Sequence, residues 1–214
     1  MNPVDILRDS LVFFARNLRP LAVLTLPWLL LDSLLRYQVL ERFGVSNGLW
    51  DMLVSLLCYP LYTASLLIFL EARTQGNTPR LSGVWGAALL LWPRFAILAA
   101  LTSGLVMLGF SLLIVPGFLI MTVLAFAENL LVLEGRAPLD ALRGSLRMTR
   151  GHFFTLLACI LVTVLPAWLI DAWIAQHFAK AAIPEIALQT LSGLLQLIPS
   201  IAVYRVYMLV RPKT

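Results

Sequence analysis

The stretch VLEGRAPLDALRGSLRMTRGHFF (residues 132–154) sets four arginines, Arg136, Arg143, Arg147 and Arg150, between two long apolar runs. On a helix begun at Pro138, Leu139, Leu142 and Leu146 form one apolar stripe. Arg143, Arg147 and Arg150, spaced i, i+4, i+7, line another side. A helix divided in this way lies in a membrane interface rather than across the bilayer. Its arginines then sit at headgroup level, and its leucines turn toward lipid or protein. The rest of the chain decides whether such a membrane exists.

Of 214 residues, 60% are hydrophobic and only 13% are charged, and the mean hydropathy is +0.89. Soluble domains are nearer one-quarter charged, and apolar runs of about 20 residues are the mark of bilayer-spanning helices. The composition predicts an all-α integral membrane protein whose single membrane domain occupies residues 1–214, with no room for a soluble domain. The net charge of +5 is accounted for by arginines that hold loops inside and meet anionic headgroups, so nucleic acid is not an expected partner. Cys58 and Cys159 both lie in apolar runs with no His or second Cys beside them, and read as small residues packed between helices. The N-terminal MNPVDILRDSLVFFARNLRP alternates charge with apolar residues and has no uninterrupted core of a signal peptide.

Six apolar segments stand out, at about 20–36, 49–70, 94–114, 117–133, 153–174 and 187–210, each long enough to cross about 30 Å of hydrocarbon. Thirteen of the sixteen Lys and Arg fall in the N-terminal stretch, the 71–94 link, the 132–154 link and the C-terminal end. The alternate loops hold only Arg36, Arg42 and Lys180. By the positive-inside rule this predicts cytoplasmic N- and C-termini, in agreement with an even number of spans.

The basic links share a design. Each opens on X-Pro, at Asn2-Pro3, Thr78-Pro79 and Ala137-Pro138, and seven residues after each proline comes a small residue: Ser10, Gly86 or Ser145. DILRDSL (5–11) and DALRGSL (140–146) match at five positions. Pro27 with Pro166, Asp32 with Asp171 and Pro60 with Pro199 recur at a constant offset of 139. The simplest organisation is a pseudo-threefold repeat of units 1–75, 76–136 and 137–214, each an interfacial amphipathic helix followed by a transmembrane hairpin. The first link helix carries Val4, Leu7, Leu11, Phe14 and Leu18 on one face, with Asp5, Asp9 and Arg16 opposite. Arg8, Arg143, Arg147 and Arg150 are the candidate contacts to lipid headgroups.

The segment 114–154 resembles the YciC-like bacterial inner-membrane family, which is similar to the membrane domain attached to some glycerophosphodiester phosphodiesterases. The features that carry the resemblance are Pro116-Gly117, Glu134-Gly135, Pro138, Ala141-Leu142, Ser145, Thr149 and Gly151. The resemblance implies a multi-span protein of the bacterial inner membrane, with Pro116-Gly117 in a tight turn between spans. It imports no phosphodiesterase chemistry, since that reaction belongs to a separate soluble barrel. His152 and His177, the only histidines, fall on opposite sides of the expected membrane and cannot act together.

Polar groups in hydrocarbon are expensive and need a reason. Glu128-Asn129 interrupts the fourth span roughly 10 Å from its cytoplasmic end at 1.5 Å per residue, and Arg205 interrupts the sixth at comparable depth. A Glu128–Arg205 ion pair is the expected structural reading. The alternatives are a proton- or substrate-binding Glu128, or one that faces the headgroups. Asp32 and Asp171 lie toward the periplasmic ends of their spans. They are expected to snorkel outward or, with Pro27, Pro60, Pro166 and Pro199 freeing carbonyls, to line a shared polar vestibule. No phosphate loop, metal cluster or nucleophile–base pair is evident, so neither an enzyme nor a cofactor is expected. The favoured function is a lipid-associating scaffold or auxiliary subunit of the cell envelope, whose partners are anionic lipids and another membrane protein. The alternative is a small transporter or lipid-moving protein. A polar cavity lined by Glu128, Asn129, Asp32 or Asp171 separates the two.

Overall fold

The structure, a computed structural model, describes residues 3–43, 48–178 and 182–211. Its described residues form ten helices: α1 (Pro3–Arg16), α2 (Leu18–Phe43), α3 (Gly48–Thr74), α4 (Leu81–Leu112), α5 (Ile114–Leu124), α6 (Ala127–Glu134), α7 (Pro138–Thr149), α8 (Phe153–Phe178), α9 (Ala182–Leu195) and α10 (Leu197–Val210). The protein is an all-helical membrane protein with six segments long and apolar enough to span a bilayer: Leu18–Val39, Leu53–Thr74, Leu81–Leu112, Ile114–Glu134, Phe153–Ile170 and Ile186–Val210. Hydrocarbon offers the backbone no hydrogen bonds, so an apolar run of this length satisfies its own amides only by coiling into a helix. The fourth and sixth spans are interrupted. The fourth is α5 plus α6, with Ala125 and Phe126 between them, and the sixth is α9 plus α10, with Gln196 between them.

Two of the three links form separate helices. α7 opens with Pro138 in its first turn after an extended Ala137, a position where the missing N–H costs nothing. α1 ends before Asn17, whose buried side chain donates from Nδ2 to Phe13 O at 2.9 Å. α7 ends in the turn Arg150–His152. The middle link departs from the expected plan, because no separate helix begins at Pro79. α4 runs unbroken for 32 residues, through Pro93. The junction there lacks the Asn or Gly that breaks the other two, and Ala-Leu-Leu-Leu-Trp (88–92) favours continuing the helix.

The link helices each pack beneath another part of the bundle. α7 lies against α4, α5 and α6, and α1 lies against α8 and α10, with lighter contact to α2. Pro27 and Pro166 both sit inside long helices. Pro60 lies within continuous α3, whereas Pro199 lies in the first turn of α10, just past a break.

Two buried clusters fill the bundle. One gathers Phe95, Phe126, Leu130 and Tyr207; the other gathers Leu21, Leu24, Leu67, Leu70 and Tyr204. Lipid supplies no hydrophobic drive between helices, so close packing and hydrogen bonds must hold them together. Small residues make one such approach. A Cβ on Gly117 would lie 2.4 Å from the Phe110 ring, and one on Gly109 would lie 2.9 Å from Gly117 Cα. The α4–α5 turn itself is the extended Leu113. Pro116 and Gly117 therefore shape the first turn of α5 rather than the connection expected of them. Hydrogen bonds stitch α10 in place: Tyr204 donates to Glu71 at 2.9 Å and Tyr207 to Glu134 at 2.6 Å, while Arg211 pairs with Glu71 at 3.3 Å.

Candidate functional site

The interruptions of the fourth and sixth spans meet at one cavity of about 320 Å³. Ala125, Glu128 and Asn129 line it from the first break; Gln196, Pro199 and Ser200 line it from the second. Tyr59 and Tyr62 come from α3, Thr102 and Ser103 from α4, and Ile160, Val164 and Trp168 from α8. Its size falls within the range of small-molecule pockets, which begins near 300 Å³. Ser103 and Trp168 are exposed and stand at the rim. The wall is apolar over most of its extent, with hydroxyl, amide and carboxylate groups at a few points. No Lys or Arg is among the described lining residues.

Broken helices persist in a membrane only where other groups satisfy the backbone they free. At the first break α7 supplies those groups. Ser145 Oγ accepts from the Phe126 amide at 3.1 Å and donates to Val123 O at 2.7 Å, and Thr149 Oγ1 donates to the same carbonyl at 3.2 Å. The face that α7 turns inward is therefore Ala141, Gly144, Ser145 and Thr149. The close seat of Gly144 permits this: an added Cβ would meet Leu130 Cδ1 and Arg136 Nη1 at 2.8 Å each. Leu139 and Leu146 point outward and are exposed, beside exposed Arg143, Arg147 and Arg150.

Glu128 sits in the first turn of α6, where helix N-terminal amides favour an acidic side chain, and it accepts a hydrogen bond from the Tyr59 hydroxyl. Tyr59 is held by edge-to-face contacts with Tyr62 at 5.4 Å and Phe95 at 6.2 Å. The expected Glu128–Arg205 pair does not form. Arg205 pairs instead with Asp9 of α1 at 3.4 Å, with its guanidinium over the Phe13 ring at 6.0 Å. Arg205 lies on the α10 face that meets α1, and its long side chain reaches out to that helix, whereas Glu128 turns toward α3. Asn129 is 2% exposed, and its carbonyl oxygen Oδ1 has no hydrogen-bond partner among the described residues.

The remaining sequence candidates lie elsewhere. Asp32 does not line the cavity. It pairs with Arg36 one turn on, at 2.8 Å, and Arg36 in turn donates to Ser55. Asp171 falls within α8, but its side chain lies outside the described residues, as does that of His177. Arg8 is exposed, and Arg143 makes only an exposed 3.7 Å pair with Asp140. Among the residues of the resemblance, Glu134 accepts from Tyr207 and pairs with Arg136 at 2.7 Å. Gly135 closes α6 at φ 67°, a left-handed conformation that favours glycine. Gly151 is exposed in the α7–α8 turn. These residues build the scaffold around the cavity and do not line it. The reading of charged interruptions missed Tyr59, Tyr62, Gln196 and Ser200, because neutral hydroxyl and amide groups leave an apolar run apolar.

No solved structure matches this chain. The UPF0259 membrane protein of Pectobacterium carotovorum subsp. carotovorum (strain PC1) is 24% identical over 152 residues, an alignment that covers 71% of this chain and 61% of that protein. The chain thus spans less than two thirds of that relative's length. The family described as "Uncharacterised protein family (UPF0259)" matches residues 45–209, which is most of the chain and takes in both broken spans, and the protein belongs to that family.

Proposed function

We propose that this protein is a multi-pass protein of the bacterial inner membrane that holds one amphiphilic molecule in the cavity between its broken spans and moves or presents it, without a reaction of its own. The observation that carries the reading is the buried Asn129, whose unpartnered Oδ1 belongs to a residue lining that cavity. A buried polar atom without a partner costs about 1–3 kcal/mol, and two discontinuous spans line the same cavity. Evolved membrane proteins accept such features where a ligand or moving part uses them. The lining suits a molecule with hydroxyl or amide groups on an apolar body. The distribution of Lys and Arg supports cytoplasmic termini. This reading ranks the transporter-like class above the scaffold.

Native mass spectrometry of the gently solubilised protein tests it. The wild type should retain a small-molecule or lipid adduct. Ala125→Phe, which fills the cavity, should lose that adduct while eluting as a monodisperse, folded species. A wild type free of any adduct would overturn the proposal, and so would equal retention by Ala125→Phe.

A scaffold role has one observation of its own. The outward leucines and arginines of α7 form an exposed amphipathic face, which suits anionic headgroups or a second membrane protein.

A further inference from the structure

At the basic end of the bundle, away from the cavity, a groove of about 450 Å³ is lined by Asp9, Val12, Phe13, Arg16, Asn17, Arg73 and Arg205. Three arginines from far-apart parts of the chain converge there with a single carboxylate among the described residues. We propose that this groove binds one phosphate group, carried by an anionic phospholipid whose apolar part lies along α1.

The argument begins with helix spacing. Asp9, Val12, Phe13, Arg16 and Asn17 recur at i, i+3, i+4, i+7 and i+8, one face of α1 and its end, so the chain builds half of the groove from one helix. Arg73, at the end of α3, and Arg205, on α10, close it from the other side. Like charges gathered so closely repel unless something neutralises them. The protein's own acids do so only in part. Asp9 is taken by Arg205 at 3.4 Å. Glu71, the nearest acid on α3, is taken by Tyr204 and Arg211. Among the described residues Arg73 reaches only a neutral group, the Asn17 side-chain carbonyl oxygen at 3.4 Å. Arg16 makes no hydrogen bond or ion pair among the described residues.

The frame is fixed. Asn17 is buried, with Nδ2 tied to Phe13 O and Oδ1 taking Arg73. Arg16 and Arg73 thus present guanidinium donors in a setting suited to phosphate oxygens, which planar guanidinium groups bind in forked pairs. The third arginine, held by Asp9, forms the wall. Exposed Val12 and the Phe13 ring, both on the groove face of α1, give the groove an apolar wall beside the arginines, and this favours a phosphate with an attached acyl chain over free phosphate.

The test uses the full chain in nanodiscs of phosphatidylcholine with a minor share of phosphatidylglycerol. Native mass spectrometry should find phosphatidylglycerol retained in excess of its share. Arg16→Gln, which breaks no hydrogen bond or ion pair among the described residues, should weaken that retention about tenfold, the loss expected for one charge-assisted pair. Arg16→Gln with Arg73→Gln should abolish it. Arg143→Gln with Arg147→Gln should leave it unchanged. Equal loss in the α7 variant would mean diffuse surface charge and overturn the proposal, as would unchanged retention in Arg16→Gln. Inorganic phosphate added to discs of phosphatidylcholine alone distinguishes the source: saturable binding that Arg16→Gln abolishes would assign the groove to a soluble phosphate and overturn the lipid assignment.

Discussion

α1 and α7 carry nearly the same heptapeptide, DILRDSL (5–11) and DALRGSL (140–146), yet their shared serine does different work. In α1, Ser10 is fully buried and donates to its own helix, to Ile6 O at 2.7 Å. In α7, Ser145 is equally buried but leaves its helix, donating to Val123 O and accepting from the Phe126 amide. The neighbouring residue explains the contrast. Asp9 keeps that side of α1 exposed and pairs with Arg205, whereas Gly144 lets α7 press directly onto α6. A short motif thus specifies a notch in a helix face, and the helix beneath decides what the notch does. Over an interrupted span, the notch serves as a staple.

The largest expected effect is at that staple. Ser145→Ala with Thr149→Val removes the three side-chain hydrogen bonds that α7 makes to the first break and leaves an amide and a carbonyl short of partners. The cost should be about 2–4 kcal/mol, read by steric-trapping unfolding in bicelles. A loss under about 1 kcal/mol would show that the break holds without α7 and that the two serines are equivalent after all.

The Asp9–Arg205 pair comes next. Both partners are substantially exposed, so Asp9→Asn should cost at most about 1 kcal/mol, and the coupling in a cycle with Arg205→Gln should fade in high salt. Coupling that persists in high salt would place the pair in a drier setting than its exposure implies.

Ser10→Ala should have the smallest effect, within about 0.5 kcal/mol, because it removes one bond within its own helix and leaves the Ile6 carbonyl in the helical ladder. If Ser10→Ala proved as damaging as Ser145→Ala, the comparison would collapse.

The contrast also marks what could be read in the sequence. Six spans were legible because hydrocarbon admits few alternatives to a helix of about 20 apolar residues, and each expected segment overlaps one of the six observed. Glu128 and Asn129 were legible as residues needing a reason, and they do line the cavity. Their partners were not. Tyr59 meets Glu128 from a different helix, and tyrosines at helical spacing look like ordinary core. The Glu128–Arg205 expectation failed because matching two charges by depth ignores the direction each faces around its helix. A shift of one residue turns a side chain through about 100°, enough to send Arg205 to α1 and Glu128 to α3. The break at Ala125–Phe126 carries no proline or glycine, so its signal lay 20 residues away, in the hydroxyls of Ser145 and Thr149. Only the second break had a local marker, Pro199. The middle link was misread for the same kind of reason: a proline can open a helix, but it does not guarantee that the helix ends before the next span.

The two cysteines, Cys58 and Cys159, are free and fully buried between helices. A maleimide too polar to enter the bundle finds no thiol to react with in the native chain. The wild-type sequence is thus already a silent background for chemical labelling, and a cysteine introduced into any loop would be the sole reactive handle, reporting its own side of the membrane without prior cysteine removal.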